Sequence, residues 1–416
     1  MRILYITNSF PYPLTSGYLR HYHLIRELSR RHAVTLLSLT NAGFREEHAQ
    51  ALAPYTERIL LFPRMAHGKS PCGKALRRAR TFMGCEPAMR DMRRAIEELV
   101  DSKRFDVALL SGKQTLPAAR ALRGMPLVID VCDAVSARIL GHLSRAELRQ
   151  APRLFGSYLR MKSIERSLMR SASYLVFASC RDRDSLCQDP TQCAAVVPNG
   201  VDLDYWRRSS AAPDTGKIVF TGAMHYPPNA DAAQYLIREI LPRVRTAVPD
   251  AECSIVGRDP QPRILAAAEG QEGVHVTGYV DDVRPYLDRA TVFAAPLRFG
   301  AGIQNKVLEA MAMEVPIIAS PIAAAGLRTV DGRTPPIEVA EETDAFAQAI
   351  IRKLRCAAPS AVARRYVQQH FRWPEAAGKL ECILSRAVTR HAKRRVRGSS
   401  SVVAFGEPVA AGELPV

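Results

Sequence analysis

Residues 291–320 have the sequence TVFAAPLRFGAGIQNKVLEAMAMEVPIIAS, and this stretch decides the fold. It has the pattern of a buried strand, a loop with Gly300 and Gly302, a short helix and a second strand. Glycines let a backbone approach a ligand closely, and the free N–H groups of a helix start attract anions. The stretch therefore predicts an anion site where the loop meets the helix.

Three charged side chains lie at this junction, namely Arg298, Lys306 and Glu309. Lys306 and Glu309 are three positions apart, so they share one face of the predicted helix. A cation beside phosphates and a carboxylate that accepts from ribose hydroxyls indicate a nucleotide-sugar site more than a bare phosphate site. The alternative is a solvated ion pair on the helix surface.

The length and composition allow two hydrophobic cores. The chain has 416 residues, of which 47% are hydrophobic. It contains no run of about 18 apolar residues, and its first residues, MRILYIT, have the pattern of a strand and not of a signal peptide. Its nine cysteines are scattered without a CxxC pair, which indicates reduced thiols. These features predict a cytoplasmic protein.

Apolar strands and helical segments alternate in both halves of the chain, which predicts mostly parallel sheets with helices on both faces. The fold class is therefore α/β, with two doubly wound Rossmann-like domains that face each other across a cleft. The predicted parts are a first domain (1–195), a second, ligand-binding domain (196–370), a C-terminal helix that packs back toward the first domain (371–397) and a mobile tail (398–416).

Four blocks along the chain resemble the retaining glycosyltransferases of family 4, and most closely the bacterial exopolysaccharide-associated sugar transferases. The blocks are MRILYITNSFPYP, VVPNGVD, FTGAMHYPPNADA and PLRFGAGIQNKVLEAMA. The resemblance implies the GT-B fold and a retaining transfer without a metal ion or other cofactor. The sugar would pass from a nucleoside diphosphate to a hydroxyl of a glycan or a lipid-linked acceptor.

The resemblance also implies roles for single residues. Glu309 matches the second of two family glutamates and would hold the donor ribose, whereas Ala301 occupies the position of the first, which usually contacts the transferred sugar. The loop after Gly222 would bind the donor but lacks the two cations that many relatives place there. Neutralising the leaving phosphate would then depend on Arg298 and Lys306 as catalytic residues.

Four further positions complete the predicted site. The resemblance places Gly17 near the donor phosphate or the acceptor, although a plain turn is the alternative there. It places the nucleotide base against the backbone near Gly278 and Val280. Asp133, in the aspartate-rich segment PLVIDVCDAVS, is the candidate carboxylate that orients the sugar or the incoming hydroxyl.

The net charge of +17 predicts an anionic partner. In residues 153–170 apolar residues at helical spacing alternate with arginines, which fits a helix on an anionic membrane surface. This would place the protein at the inner membrane face, and a core-facing helix with a solvated basic back is the alternative. Nucleic acid is disfavoured because the basic runs lack aromatic stacking patches.

Two other functions remain open at this point. A non-catalytic protein of the same fold that binds sugar nucleotides or acts as a scaffold is favoured by Ala301, by Ala223 and by Cys132 at the position of the family histidine. A sugar-nucleotide epimerase would need catalytic acids, which the sequence does not identify.

Overall fold

The computed structural model describes residues 1–14, 19–41, 43–64, 86–102, 104–188, 193–209 and 212–400, with side chains as far as residue 393. Gly17 and residues 401–416 of the predicted tail therefore lie outside the described residues.

The first sheet has seven parallel strands in the order β3-β2-β1-β4-β5-β6-β7. Its strands are β1 Arg2–Thr7, β2 Ala33–Thr40, β3 Arg58–Pro63, β4 Val107–Ser111, β5 Leu127–Cys132, β6 Tyr174–Phe177 and β7 Ala194–Val196. Its α-helices are α1 Leu19–Leu28, α2 Glu46–Gln50, α3 Pro87–Asp101, α4 Val135–Leu143, α5 Ala151–Ser171 and α6 Cys180–Leu186, with 3₁₀ segments at Ala53–Tyr55 and Lys113–Arg120.

The second sheet has six parallel strands in the order β10-β9-β8-β11-β12-β13. Its strands are β8 Lys217–Thr221, β9 Glu252–Val256, β10 Val274–Gly278, β11 Val292–Ala295, β12 Ile317–Ala319 and β13 Glu338–Val339. Its helices are α7 Pro227–Tyr235, α8 Leu241–Arg245, α9 Pro262–Ala268, α10 Arg284–Arg289, α11 Asn305–Ala312, α12 Pro321–Ala325, α13 Thr343–Arg355 and α14 Ala361–His370. A π-helical turn at Leu236–Ile240 connects α7 to α8.

Both sheets are doubly wound, and this part of the sequence prediction is confirmed. Strands such as β1, with five of six residues buried, are apolar throughout because helices cover both faces of a parallel sheet. The strand order changes direction between β1 and β4 in the first sheet and between β8 and β11 in the second. Each reversal opens a crevice beyond the carboxyl ends of its strands.

The final helix, α15 Trp373–Ser400, packs on the core of the first domain. Trp373, Leu380 and Leu384 lie in that core, and the Trp373 indole stacks on His23 with the ring centroids 4.6 Å apart. The chain between the two sheets crosses the start of this helix at Gly200, where an added Cβ would lie 2.3 Å from the backbone nitrogen of Trp373. Only glycine permits that close crossing.

Helix α5 turns its apolar stripe toward the protein. Leu168 is buried in the first-domain core, and Ile164 packs against it. Two other apolar residues of this helix, Phe155 and Leu159, are exposed, at 51% and 52%. Among the residues that the structure describes, no helix combines the length and the apolar character needed to cross a membrane.

Candidate functional site

The predicted residues of the second domain gather at the carboxyl edge of its sheet, where the strand order reverses. Gly222 directly follows β8, and the loop with Arg298, Gly300 and Gly302 follows β11. This loop leads into α11, and the side chain of the N-cap residue Gln304, which precedes the helix, makes no capping bond. Backbone N–H groups at such a helix start are suited to a phosphate.

Lys306, in the first turn of α11, is held by an asparagine that the sequence analysis missed. Its Nζ donates a hydrogen bond to Asn229 Oδ1 and lies 5.0 Å from the centroid of the Phe220 ring. Asn229 Nδ2 donates to the Ala223 carbonyl oxygen at 3.0 Å. An added Cβ on Gly222, whose φ is +154°, would lie 2.6 Å from Asn229 Nδ2, so the loop after β8 requires glycine here.

Lys306 and Glu309 are both half-buried and both titrate near neutral pH. Burial lowers the pKa of Lys306 to about 7, although Glu309 opposes this shift. Burial raises the pKa of Glu309 to about 7, although Lys306 opposes it. A bound diphosphate would favour the charged lysine, and ribose hydroxyls would favour the charged carboxylate.

We therefore expect the affinity for a nucleoside diphosphate sugar to be greatest near pH 7. Binding that raises the pKa of Lys306 takes up a proton, so affinity falls as the pH rises above about 7. Binding that lowers the pKa of Glu309 releases a proton, so affinity falls as the pH drops below about 7. Calorimetric titration over a pH series measures this, and the diphosphate of an intact sugar nucleotide does not itself titrate in this range.

Two variants separate the limbs of this pH profile. Lys306→Met should flatten the alkaline limb alone, and Glu309→Gln the acidic limb alone. A wild-type affinity that stays constant across the series would contradict the assignment of these two groups to the donor.

Arg298 lies in the predicted loop, but an acidic partner engages its guanidinium. Its Nε and Nη2 donate to the two carboxylate oxygens of Asp231 at 2.9 and 2.5 Å, and it lies 4.7 Å from the centroid of the Tyr235 ring. The hydrogen bond to Asp231 raises the pKa of Arg298. The Asp231 carboxylate on α7 thus compensates the charge of Arg298, whereas the hydrogen-bond partner of Lys306 is the neutral side-chain amide of Asn229.

Asp133 reaches the same loop from the first domain. It follows β5, and Lys113 Nζ donates to its Oδ1 at 3.1 Å and to its carbonyl oxygen at 2.7 Å. An added Cβ on Gly302 would lie 3.4 Å from the Cβ of Asp133, so the two loops are in contact. The Asp133 side chain remains 31% exposed. The structure therefore brings Asp133 next to the loop that contains Ala301.

A buried polar network underlies the same region. Arg20 Nε donates to Asp130 Oδ2 at 2.7 Å, and Arg20 Nη1 donates to Asn199 Oδ1 at 2.8 Å. Asn199 Nδ2 in turn donates to Asn305 Oδ1 at 2.8 Å, at the first residue of α11. This network joins the first sheet, the segment between the sheets and the helix that carries Lys306.

Gly278 and Val280 lie at the same edge of the second sheet but two strands away from β8, which is a distance of about 10 Å. Gly278 has a φ of +69°, a conformation that favours glycine. Val280 packs against the second-domain core, and Tyr279 between them is exposed.

Within the described ranges, no group of three or more His, Cys, Asp or Glu side chains has an arrangement that would hold a metal ion.

Comparisons with known proteins find similarity to glycosyltransferases. The family model described as Glycosyl transferases group 1 matches residues 215–355, which extend from β8 to α13. A phosphatidyl-myo-inositol mannosyltransferase of Mycobacterium leprae is 28% identical over 169 residues, which are 39% of this chain and 44% of the relative. The Mycolicibacterium smegmatis protein of the same name is 27% identical over 165 residues, 38% of this chain and 42% of that relative. The chain thus matches less than half of the length of these relatives.

Two solved structures resemble nearly the whole chain. Sucrose-phosphate synthase from Thermosynechococcus elongatus has a TM-score of 0.69 and 15% identity, and covers 94% of this chain and 100% of its own. HepE from Anabaena, in complex with UDP, has a TM-score of 0.64 and 15% identity, and covers 93% and 100%. At these identities the likeness concerns the fold alone, and it confirms the prediction of a two-domain GT-B fold.

Proposed function

We propose that this protein is a retaining glycosyltransferase. It would move a sugar from a nucleoside diphosphate to a hydroxyl of a glycan or a lipid-linked acceptor without a metal ion. Its nearest functional counterparts would be the family 4 enzymes of polysaccharide synthesis.

One observation carries this proposal. Lys306 lies in the first turn of α11 and Glu309 in the second, behind a glycine loop at the strand-order reversal of a doubly wound sheet, and no side chain caps the start of this helix. The Asp133 carboxylate meets that loop from the opposite domain. A site with a cation, a carboxylate and free N–H groups on one wall and a second carboxylate on the other suits a sugar diphosphate better than an isolated phosphate. The relatives named for transfer to phosphatidyl-myo-inositol support a lipid-linked acceptor.

In the proposed reaction, the bond from the anomeric carbon to the diphosphate oxygen breaks. The acceptor oxygen then forms its bond to the same face of that carbon. The acceptor proton passes to the leaving phosphate oxygen, so no side-chain nucleophile is needed. Lys306 and the N–H groups of α11 would stabilise the charge that develops on the leaving group, and Asp133 would orient the sugar or the acceptor hydroxyl.

A screen of UDP, GDP, ADP and dTDP sugars for thermal stabilisation tests donor binding. At a concentration of 100 times Kd, a ligand that binds only the folded state stabilises it by about 2.7 kcal/mol, so one base class should raise Tm clearly. The same sugar nucleotide should raise the Tm of Lys306→Ala by less than it raises the Tm of the wild-type protein. No stabilisation by any member of the series would contradict the proposal.

A non-catalytic protein that binds sugar nucleotides is the second candidate. The compensation of Arg298 by Asp231 and the absence of a glutamate at Ala301 favour it. Release of the nucleoside diphosphate, measured with and without an acceptor glycan or lipid, distinguishes the two candidates, because only the transferase accelerates release when the acceptor is present.

Attachment of the first domain to an anionic membrane surface is a further part of the proposal. On α5, Phe155 and Leu159 are exposed between Arg153 and Arg160. A basic residue contributes about 1 kcal/mol near such a surface, and salt weakens the contribution. Co-sedimentation with anionic but not with neutral vesicles is the expected result.

A further inference from the structure

A buried carboxylate of the first domain is bonded to the glycine loop of the second. Asp182, in the first turn of α6, is 2% exposed. It accepts the backbone N–H of Gly302 at 3.0 Å through Oδ2 and the backbone N–H of Ala134 at 3.0 Å through Oδ1. Ala134 follows Asp133, and Gly302 follows Ala301. The Asp182 carboxylate therefore joins the loop that contains Asp133 to the loop that contains Ala301.

Asp182 is itself fixed within the first domain. The Ser179 hydroxyl donates to Asp182 Oδ2, and the Asp182 backbone N–H donates to Ser179 Oγ at 3.2 Å as the cap of α6. No ion pair between residues of the described ranges includes Asp182. Its charge is met by N–H and O–H donors, and hydrogen bonds to an ionised acceptor are stronger and more directional than neutral ones.

Two neighbouring contacts hold the same side of the cleft closed. The His142 ring stacks on Phe299 with centroids 4.6 Å apart and an interplanar angle of 2°. Arg181 Nη1 donates to the Ile322 carbonyl oxygen at 3.4 Å. Asp182 is the acidic member of this group, and it is the one that bonds directly to the backbone beside Ala301.

We propose that Asp182 is a positioning residue for sugar transfer. It fixes the glycine loop against Asp133. The first domain thereby supplies the Asp133 carboxylate beside Ala301, where the second domain has no glutamate. This inference rests on the proposed function, but it separates two properties of the site. Nucleotide binding depends on residues of the second domain that include Lys306 and Glu309, whereas the contact between the two loops affects turnover.

Asp182→Ala and the matched control Asp184→Asn test this proposal. Asp184 lies on the same helix, is 62% exposed and pairs with its neighbour Arg183. For Asp182→Ala we expect hydrogen exchange at the Gly302 amide to become at least about tenfold faster without ligand. We expect kcat to fall about 10²-fold, because misplacing a reacting group by about 1 Å has a cost of that size. The Kd for the sugar nucleotide should change less than about twofold. Asp184→Asn should leave all three quantities unchanged.

Gly302→Ala perturbs the same contact from the other domain and leaves α6 intact. Alanine is strained at the φ of +73° that Gly302 adopts, so this substitution should displace the loop and lower kcat. If Asp182 acts through this loop, the double variant should lose no more turnover than the worse single variant. Losses that multiply, unchanged exchange at Gly302, or a parallel loss of kcat and affinity would overturn the inference.

The exchange and binding measurements need no turnover. A wild-type protein that transfers no sugar would therefore contradict the proposed function, while the exchange at Gly302 would still decide whether Asp182 holds the loop.

Discussion

Lys306→Ala is expected to lower the rate of sugar transfer about 10²- to 10³-fold while the protein stays folded. The ammonium group lies at the start of α11, beside Gly222 and behind the glycine loop, where charge would develop on the leaving phosphate. Its hydrogen-bond partner is the neutral Asn229, so its charge is available to a diphosphate. Because this charge is met in the transition state, the loss should affect kcat more than it affects the KM of the donor.

Lys217→Ala is the matched control for this experiment. Lys217 begins β8 at the opposite edge of the same sheet and pairs with Glu252. Its removal should leave turnover within about twofold, since the contribution of an exposed ion pair is small. Wild-type turnover in a folded Lys306→Ala variant would remove Lys306 from the site. Arg298→Ala is expected to have a smaller effect, because Asp231 already engages that guanidinium.

Arg20→Ala is expected to destabilise the first domain by about 3–5 kcal/mol, because it leaves the Asp130 carboxylate buried without a cation. Both side chains of this pair are almost fully buried, and Arg20 also donates to the Val197 carbonyl oxygen and to Asn199. The denaturant midpoint of the first-domain transition measures the loss.

Two comparisons show whether the unpaired charge is the cause. Arg243→Ala breaks an exposed pair with Asp344 and should cost less than about 1 kcal/mol. Replacing both partners, as in Arg20→Met with Asp130→Leu, should recover much of the stability, because no buried charge remains unpaired. A loss in Arg20→Ala no larger than that in Arg243→Ala would show that the buried pair has little effect.

The pattern of residues along the chain was sufficient to predict the architecture. Continuous apolar runs such as those of β1 and β11 indicate strands buried on both faces, and their alternation with helical segments indicates parallel sheets. Gly300 and Gly302 lie in a loop between β11 and α11, and Lys306 lies in the first turn of α11; a strand, a loop and a helix start are local features that a sequence pattern can indicate. The sequence also predicted the return of the last helix, and the structure has α15 on the first-domain core.

Which charged groups are paired was decided only by the tertiary structure. Asp231 lies 67 residues before Arg298, Asn229 lies 77 residues before Lys306, and Asp182 lies 120 residues before Gly302. Local periodicity reports whether a residue faces a core or solvent, but it carries no information on which distant side chain is within hydrogen-bond reach. The capping pattern of Ser179 and Asp182 indicates the start of a helix, yet the same carboxylate also bonds to the other domain. The sequence by itself therefore predicted the loop and the helix that carry the candidate charges, and the tertiary structure decided which of those charges have a partner and what that partner is.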